Sequence, residues 1–237
     1  MGRIHNIEGK KNKMDSQRSA SFTKHARNIS VAARMGGGDP AYNATLKLAI
    51  DKAKADNMPN DNIQRAIKKG TGDNDSDKFE HITYEGYGPG GVAIMIDCLT
   101  DNKNRTAGNV RHLLDKNGGN LGTNGCVAFL FERKGAIAID RAETPIGEDE
   151  LMELVLENGA EDFISEADYF EVITGPEDFS PVLDACREAG ASIITSDISM
   201  LPVTTVEADK STSSKMEKLL NDLEADDDVQ NVYTNAQ

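Results

Sequence analysis

The sequence predicts an α+β protein: an N-terminal three-helix bundle followed by two ferredoxin-like βαββαβ domains, one inserted into the other. Three observations predict it. Apolar residues recur at helical spacing between residues 21 and 70, broken by glycine and proline. Beyond residue 80 the apolar runs shorten to strand length, and half-patterns at 80–134 and 203–237 flank a complete strand–helix–strand–strand–helix–strand order over 135–202. The expected boundaries are a basic helical domain with its hinge at 1–79, an outer domain made of 80–134 and 203–237, and an acidic inserted domain at 135–202.

Residues 1–20 contain Arg3, Lys10, Lys11, Lys13 and Arg18 with almost no apolar periodicity, the pattern of a basic arm. A first helix is expected over 21–35. Phe22, Ala26, Ile29 and Ala33 fall on one arc and Lys24, Arg27 and Arg34 on the opposite one, so one face is buried and the other is cationic. Gly36, Gly37 and Gly38 end it, because consecutive glycines cost too much backbone entropy in a helix. Asp39 and Pro40 read as the cap and first position of a second helix with the stripe Leu46, Ala49, Ile50 and Ala53, bordered by Lys47, Lys52 and Lys54. Asn60 reads as the cap of a third. There Ile63, Ala66 and Ile67 face inward, Arg65, Lys68 and Lys69 gather towards the C-terminal end, and Gly70 closes the helix. Residues 71–79 read as the hinge.

In the outer domain, strands are expected over 92–98, 126–131, 203–208 and 229–234, with helices over 105–117 and 211–225. In the inserted domain the expected strands are 135–140, 161–165, 169–174 and 192–196, and the helices 147–158 and 177–189. Asp101, Asn102 and Asn104 are alternative caps for the helix at 105–117.

Charge is distributed very unevenly. The chain's net charge is −14, yet residues 1–70 hold 14 Lys and Arg against 6 acids, while the remainder holds 12 against 34. Clustered cations are what a polyanion-binding face requires, since each neutralised phosphate releases condensed counterions. Candidate nucleic-acid contacts are therefore Lys10, Lys11, Lys13, Arg18, Lys24, Arg27, Arg34, Lys47, Lys54, Arg65, Lys68 and Lys69. Beyond residue 70, Lys103, Arg105 and Arg111 form a second basic group. Phe22 and Tyr42 are the only aromatics in the first 70 residues, so contacts are expected to be mainly to phosphates. Glu148, Asp149, Glu150, Glu153 and Glu157 make the inserted domain a positioning or protein-contact module rather than a phosphate-binding one.

Cys98, Cys126 and Cys186 are widely spaced and, with His5, His25, His81 and His112, offer no close metal-ligand spacing, so no metal or other cofactor is expected. GYGPGG and GGNLGTNG precede strands and lack G-x-x-x-x-G-K-[ST], which makes them turns rather than phosphate cradles. No dinucleotide fingerprint or G-x-S-x-G is present, so the expectation is a non-enzyme. No membrane-length apolar run or apolar signal core occurs, which places the expected protein in the cytoplasm without membrane partners. No coiled-coil seam is seen, and a monomer is expected.

Three stretches also carry a resemblance: GGGDP, then LKLAIDKAKADNMPNDNIQRAIKKGTG, then YEGYGPGGVAIMIDCLTDNKNRTAGNVRHLLDKNGGNLG. In this order they are similar to the YebC/PmpR family of bacterial proteins. The chain departs from the commonest form in IHNIEGKKNKMDSQRS, where the family carries Trp-Ala-Asn and His-Arg-Lys, and in Cys126, where Ser is expected. The resemblance implies a DNA-binding transcriptional regulator. It also implies, as the alternative ranked behind it, a ribosome- or RNA-associated translation factor that eases elongation through proline-rich stretches. An acidic scaffold with protein partners is the third reading. Charge asymmetry separates the third from the first two, whereas phosphate contacts are common to DNA and RNA.

Overall fold

In the computed structural model, residues 18–72 and 79–236 are described, with side chains from residue 21. The hinge residues 73–78 and the arm carrying Lys10, Lys11 and Lys13 lie outside them. The amphipathic stripes become α1 (Arg18–Gly36), α2 (Ala44–Ala55) and α3 (Asn60–Thr71). Ile29, Ala33, Leu46, Ile50, Ala53, Ile63 and Ile67 form one buried cluster, with Phe22 and Ala26 at its edge.

The helix ends differ from expectation in three places. Asn43, not Asp39, caps α2, accepting from the Leu46 N–H at 3.0 Å, while Asp39 closes a preceding turn onto the Ala41 N–H. Pro59 stands at the cap of α3 and makes no side-chain cap bond, so Asn60 is already helical. Gly70 lies inside α3. A Cβ there would sit 2.2 Å from the Ser30 carbonyl oxygen, and the Ser30 hydroxyl donates to the Ala66 carbonyl at 2.8 Å. Gly70 is thus what lets α1 and α3 touch backbone to backbone, which a terminal position would not require.

The outer sheet has strand order β3-β1-β2-β8 with every pair antiparallel. It is built from β1 (Glu80–Tyr87), β2 (Ala93–Thr100), α4 (Lys103–Lys116) and β3 (Asn120–Leu121), then α7 (Lys210–Glu224) and β8 (Val229–Thr234). It therefore opens with a β-hairpin. The sequence masks β1 because Glu80, His81, Thr83 and Glu85 interrupt its apolar residues; Thr83 instead donates to the cross-strand Asp97 carboxylate at 2.7 Å. Two expected strands are absent. At 126–130 the buried Glu85 carboxylate takes the N–H groups of Gly125 (2.7 Å) and Val127 (2.9 Å), so this backbone is bound by a side chain rather than a ladder. At 203–208 only an isolated bridge, Val206 to Ala236, forms.

The inserted sheet follows the expected βαββαβ order: β4 (Phe131–Asp140), α5 (Glu148–Glu157), β5 (Ala160–Ser165), β6 (Tyr169–Thr174), α6 (Phe179–Glu188) and β7 (Ile193–Pro202). Its strand order is β5-β6-β4-β7, and it has its own core of Ile137, Ile139, Leu151, Val155, Phe170, Val172, Val182 and Cys186. Pairing of Phe131 with Pro202 carries β4 four residues upstream of the expected start at Gly135. By contacts the chain divides into two compact units: one is Ala128–Glu207 with residues 235 and 236, and the other joins the bundle and outer sheet up to Val127 with Ala208–Thr234.

Candidate nucleic-acid interface

Asp228, at the end of the run Asp226-Asp227-Asp228 between α7 and β8, collects the cations that the sequence places on a solvent-facing surface. Its side chain is 4% exposed. It accepts from Arg27 Nη1 at 2.6 Å, Arg105 Nη2 at 2.7 Å, Thr106 Oγ1 at 2.8 Å and Thr100 Oγ1 at 3.2 Å. Burial alone raises the carboxyl pKa, but the hydrogen bonds from Arg105, Arg27 and Thr106 outweigh it and hold the group down to about 2. Arg27 donates further to the Asp227 carbonyl at 2.7 Å and stacks over the Phe79 ring, 5.3 Å from its centroid.

Lys24 and Asn28 complete the dock. Lys24 Nζ donates to the Glu224 carbonyl at 2.7 Å; burial pulls its pKa down, opposed by the charges of Glu224, Asp226 and Asp227. Asn28 Nδ2 donates to Gln230 Oε1 at 2.9 Å. The cationic face expected on α1 is therefore turned, at Lys24 and Arg27, onto an acidic turn of the same chain. The reason is electrostatic: in a chain this acidic, carboxylates lie at short range, and the buried Asp228 carboxylate attracts Arg27 more strongly than an acid in open solvent would.

The second basic group is consumed similarly. Lys103 pairs with Glu80 at 2.5 Å, and Arg105 bonds Asp101 at 2.8 Å as well as Asp228. Both lie in the first turn of α4, capped by Asn102, where the helix dipole disfavours cations and the acids offset it. Arg111 remains exposed.

What is left outward-facing lies on the bundle. Lys47, Lys54 and Lys68 are exposed and, among the described residues, engage no acid. Lys69 and Arg34 are exposed too. Arg65 is exposed but bonded within its own helix, to the Asn62 carbonyl oxygen Oδ1 at 2.9 Å and the Asp61 backbone carbonyl at 3.3 Å. Arg18 begins α1, and only its backbone is described. Arg34, Lys54, Lys68 and Lys69 fall in the last turns of their helices, which also suits the helix dipoles.

Residues 2–73 match the TACO1/YebC protein N-terminal domain, and residues 79–236 match the TACO1/YebC second and third domain. The chain belongs to the TACO1/YebC family. A protein of Clostridioides difficile (strain 630) named as a probable transcriptional regulatory protein is 58% identical over 236 residues, 99% of this chain and 98% of its own length. YrbC of Bacillus subtilis (strain 168), likewise named, is 55% identical over 230 residues, 97% and 95% of the two chains. The crystal structure of Aq1575, a conserved hypothetical protein from Aquifex aeolicus, matches with a TM-score of 0.85 at 45% identity, covering 100% of this chain and 97% of that one.

Within this TACO1/YebC chain, one prominent surface has no counterpart in the sequence expectations. Tyr42 is 90% exposed, Met35 83% and Leu48 55%, all around the turn from α1 to α2. The signal is present but weak: an aromatic one residue beyond GGGDP and directly before a capping Asn. Elsewhere, Cys98 and Cys186 are buried, and desolvation pushes their thiols to about 12 and about 11. No group of three or more potential metal ligands occurs among the described residues, and none of the described helices is long and apolar enough to cross a membrane.

Proposed function

We propose that this TACO1/YebC protein binds nucleic acid through the exposed cations of α2 and α3 and thereby regulates transcription, in the cytoplasm, as a monomer and without catalysing a reaction. The observation that carries the reading is selective exposure. In a chain of net charge −14, Lys47, Lys54 and Lys68 stay outward while Arg27, Lys103 and Arg105 are paired with acids internally and Lys24 is bonded to the Glu224 carbonyl. The names of the Clostridioides and Bacillus relatives supply the transcriptional part. The acidic inserted domain then serves as a spacer or protein-contact module, since phosphate would repel it.

The test is salt dependence. If about five phosphates are neutralised, log K on duplex DNA should fall against log salt with a slope of roughly −4 to −5. Reversing Lys47, Lys54 and Lys68 to Glu should remove at least half of that slope with the circular dichroism spectrum unchanged. Unaltered binding by this variant would take the bundle face out of the argument.

A second reading, a structured RNA or the ribosome as the target, is favoured by the bond between Arg65 and Asn62. A promoter reader presents such side chains from the start of a helix to base edges, whereas here the two satisfy each other. Shape and phosphate position would then carry recognition. Competition decides: promoter DNA bound at physiological salt is challenged with ribosomes and with random duplex. Displacement by equal random duplex sinks sequence-specific regulation, and failure of ribosomes to compete or cosediment sinks the translational reading.

A further inference from the structure

We propose that the turn between α1 and α2 is a rigid tip that stacks on an unpaired base, with Tyr42 as the stacking residue and Met35, near the end of α1, comparably exposed. The proposal rests on the nucleic-acid reading of the bundle and specifies which part of the polymer this turn contacts.

Exposure alone would say little, because isolated surface hydrophobics are ordinary. The turn is different because it is built to be held still. Asn43 is buried and fully used: its Nδ2 donates to the carbonyls of Ala32 and Gly37, each at 2.8 Å, and its Oδ1 accepts from the Leu46 N–H at 3.0 Å. One side chain thus ties the end of α1, the turn and the start of α2 together. The glycines before it are needed for this closeness. A Cβ on Gly36 would lie 2.6 Å from Asn43 Nδ2, and Gly37 has φ +88°, which side chains rarely adopt. Asp39, the one acid in the turn, accepts from the Ala41 N–H at 2.9 Å and so stabilises the turn itself. A turn anchored at both ends that leaves a tyrosine 90% and a methionine 83% exposed fits the presentation of a contact.

The occupant follows from what borders the tip. Arg34 precedes Met35, and Lys47 lies in the first turns of α2, both exposed. Apolar and aromatic surface bordered by cations matches a nucleotide, which offers a π-face and a phosphate on one unit. A base inside a duplex hides that face, so the ligand is an unpaired base of RNA or of melted DNA. The Tyr42 side chain is already exposed and Asn43 ties the tip in place, so little conformational entropy is lost on binding.

The chain contains no tryptophan, so Tyr42→Trp introduces a single fluorescent reporter at the tip. The full-length variant is titrated with single-stranded RNA, single-stranded DNA and a blunt duplex of equal phosphate number. Saturable quenching by the single strands and not by the duplex is expected, and the stronger of the two names the polymer. In parallel, Tyr42→Ala should weaken single-strand binding by about 5- to 150-fold while leaving the salt slope unchanged, and Tyr42→Phe should bind as the parent does. Equal affinity of Tyr42→Ala and the parent, with no quenching, overturns the stacking role and leaves phosphate binding intact. Quenching by duplex as strong as by single strands overturns the unpaired-base assignment. Absence of binding by the unaltered chain to every oligonucleotide removes the nucleic-acid reading and this inference with it.

Discussion

Arg27 and Lys47 are similar on paper: each lies on an amphipathic helix of the bundle, on the side away from the apolar stripe. In the structure Arg27 is spent on Asp228, the Asp227 carbonyl and the Phe79 ring, whereas Lys47 is exposed on α2 and engages no acid among the described residues. The difference teaches that a basic segment in an acidic chain serves two purposes. Part of its charge docks the bundle onto its own outer sheet, and only the rest is available to a partner. Bundle docking here is polar. The described contacts include Lys24 to Glu224, Arg27 to Asp227, Asp228 and the Leu99 carbonyl, and Asn28 to Gln230, while the bundle's apolar cluster is formed by its own three helices and Met58 of the turn between α2 and α3.

The strongest way to break this contrast is to remove the acid. Asp228→Ala removes the buried carboxylate that Arg27 and Arg105 share, leaving Arg105 with only Asp101, and breaking a buried pair from one side costs about 3 kcal/mol or more. The urea midpoint should fall clearly with the slope m unchanged. A midpoint shift no larger than for a surface substitution would mean that Asp228 is not the anchor. The same group makes a pH prediction. Its folded pKa of about 2 lies below the ordinary carboxylate value of 3.8, so its contribution is fully present above about pH 4 and is lost as pH falls towards 2. That contribution is on the order of 2 kcal/mol, and Asp228→Asn should flatten the corresponding acid limb of the urea midpoint against pH.

A smaller effect sharpens the division of labour between the two sets of cations. Arg27→Gln is expected to lower stability by about 1–2 kcal/mol, the cost of a charge-assisted bond partly exposed to solvent. It should leave the salt slope of nucleic-acid binding where it was. Lys47→Gln should do the reverse, leaving the urea midpoint within about 0.5 kcal/mol of the parent and reducing the slope by about 0.9. If the two variants behaved alike, the distinction between docking and binding cations would collapse.

These outcomes bear on what the sequence makes legible. The stripes Ile29–Ala33 and Leu46–Ala53 are readable because burial against a single core imposes the helical period, and the inserted domain is readable because all six of its elements are local and regular. β1 is not readable from periodicity, since its polar positions are satisfied by cross-strand partners such as Asp97 rather than by exclusion from the core. The candidate site is half legible. Composition identifies the basic segment, but the loss of Arg27 and Arg105 to an internal acid depends on Asp228, which is 201 residues from Arg27 and invisible to any local pattern. Tyr42 is passed over for a different reason: two aromatics in 70 residues read as too few for base stacking, and the 90% exposure of Tyr42 is not visible in the sequence.

The smallest expected effect is also the one that asks whether docking persists in the bound state. Lys24 donates one hydrogen bond to the Glu224 carbonyl, and burial already works against its charge. Lys24→Met keeps most of the aliphatic stem and gives up that bond, so stability should change by no more than about 1 kcal/mol. If the bundle stays docked when nucleic acid binds, the amine never reaches a phosphate, and the salt slope of Lys24→Met should equal that of the parent. A slope reduced by about 0.9, as for an exposed lysine, would instead mean that Lys24 exchanges the carbonyl for a phosphate on binding. The acidic turn would then act as an internal competitor for the α1 face, and Asp228→Asn, by loosening the dock, should raise affinity rather than leave it unchanged.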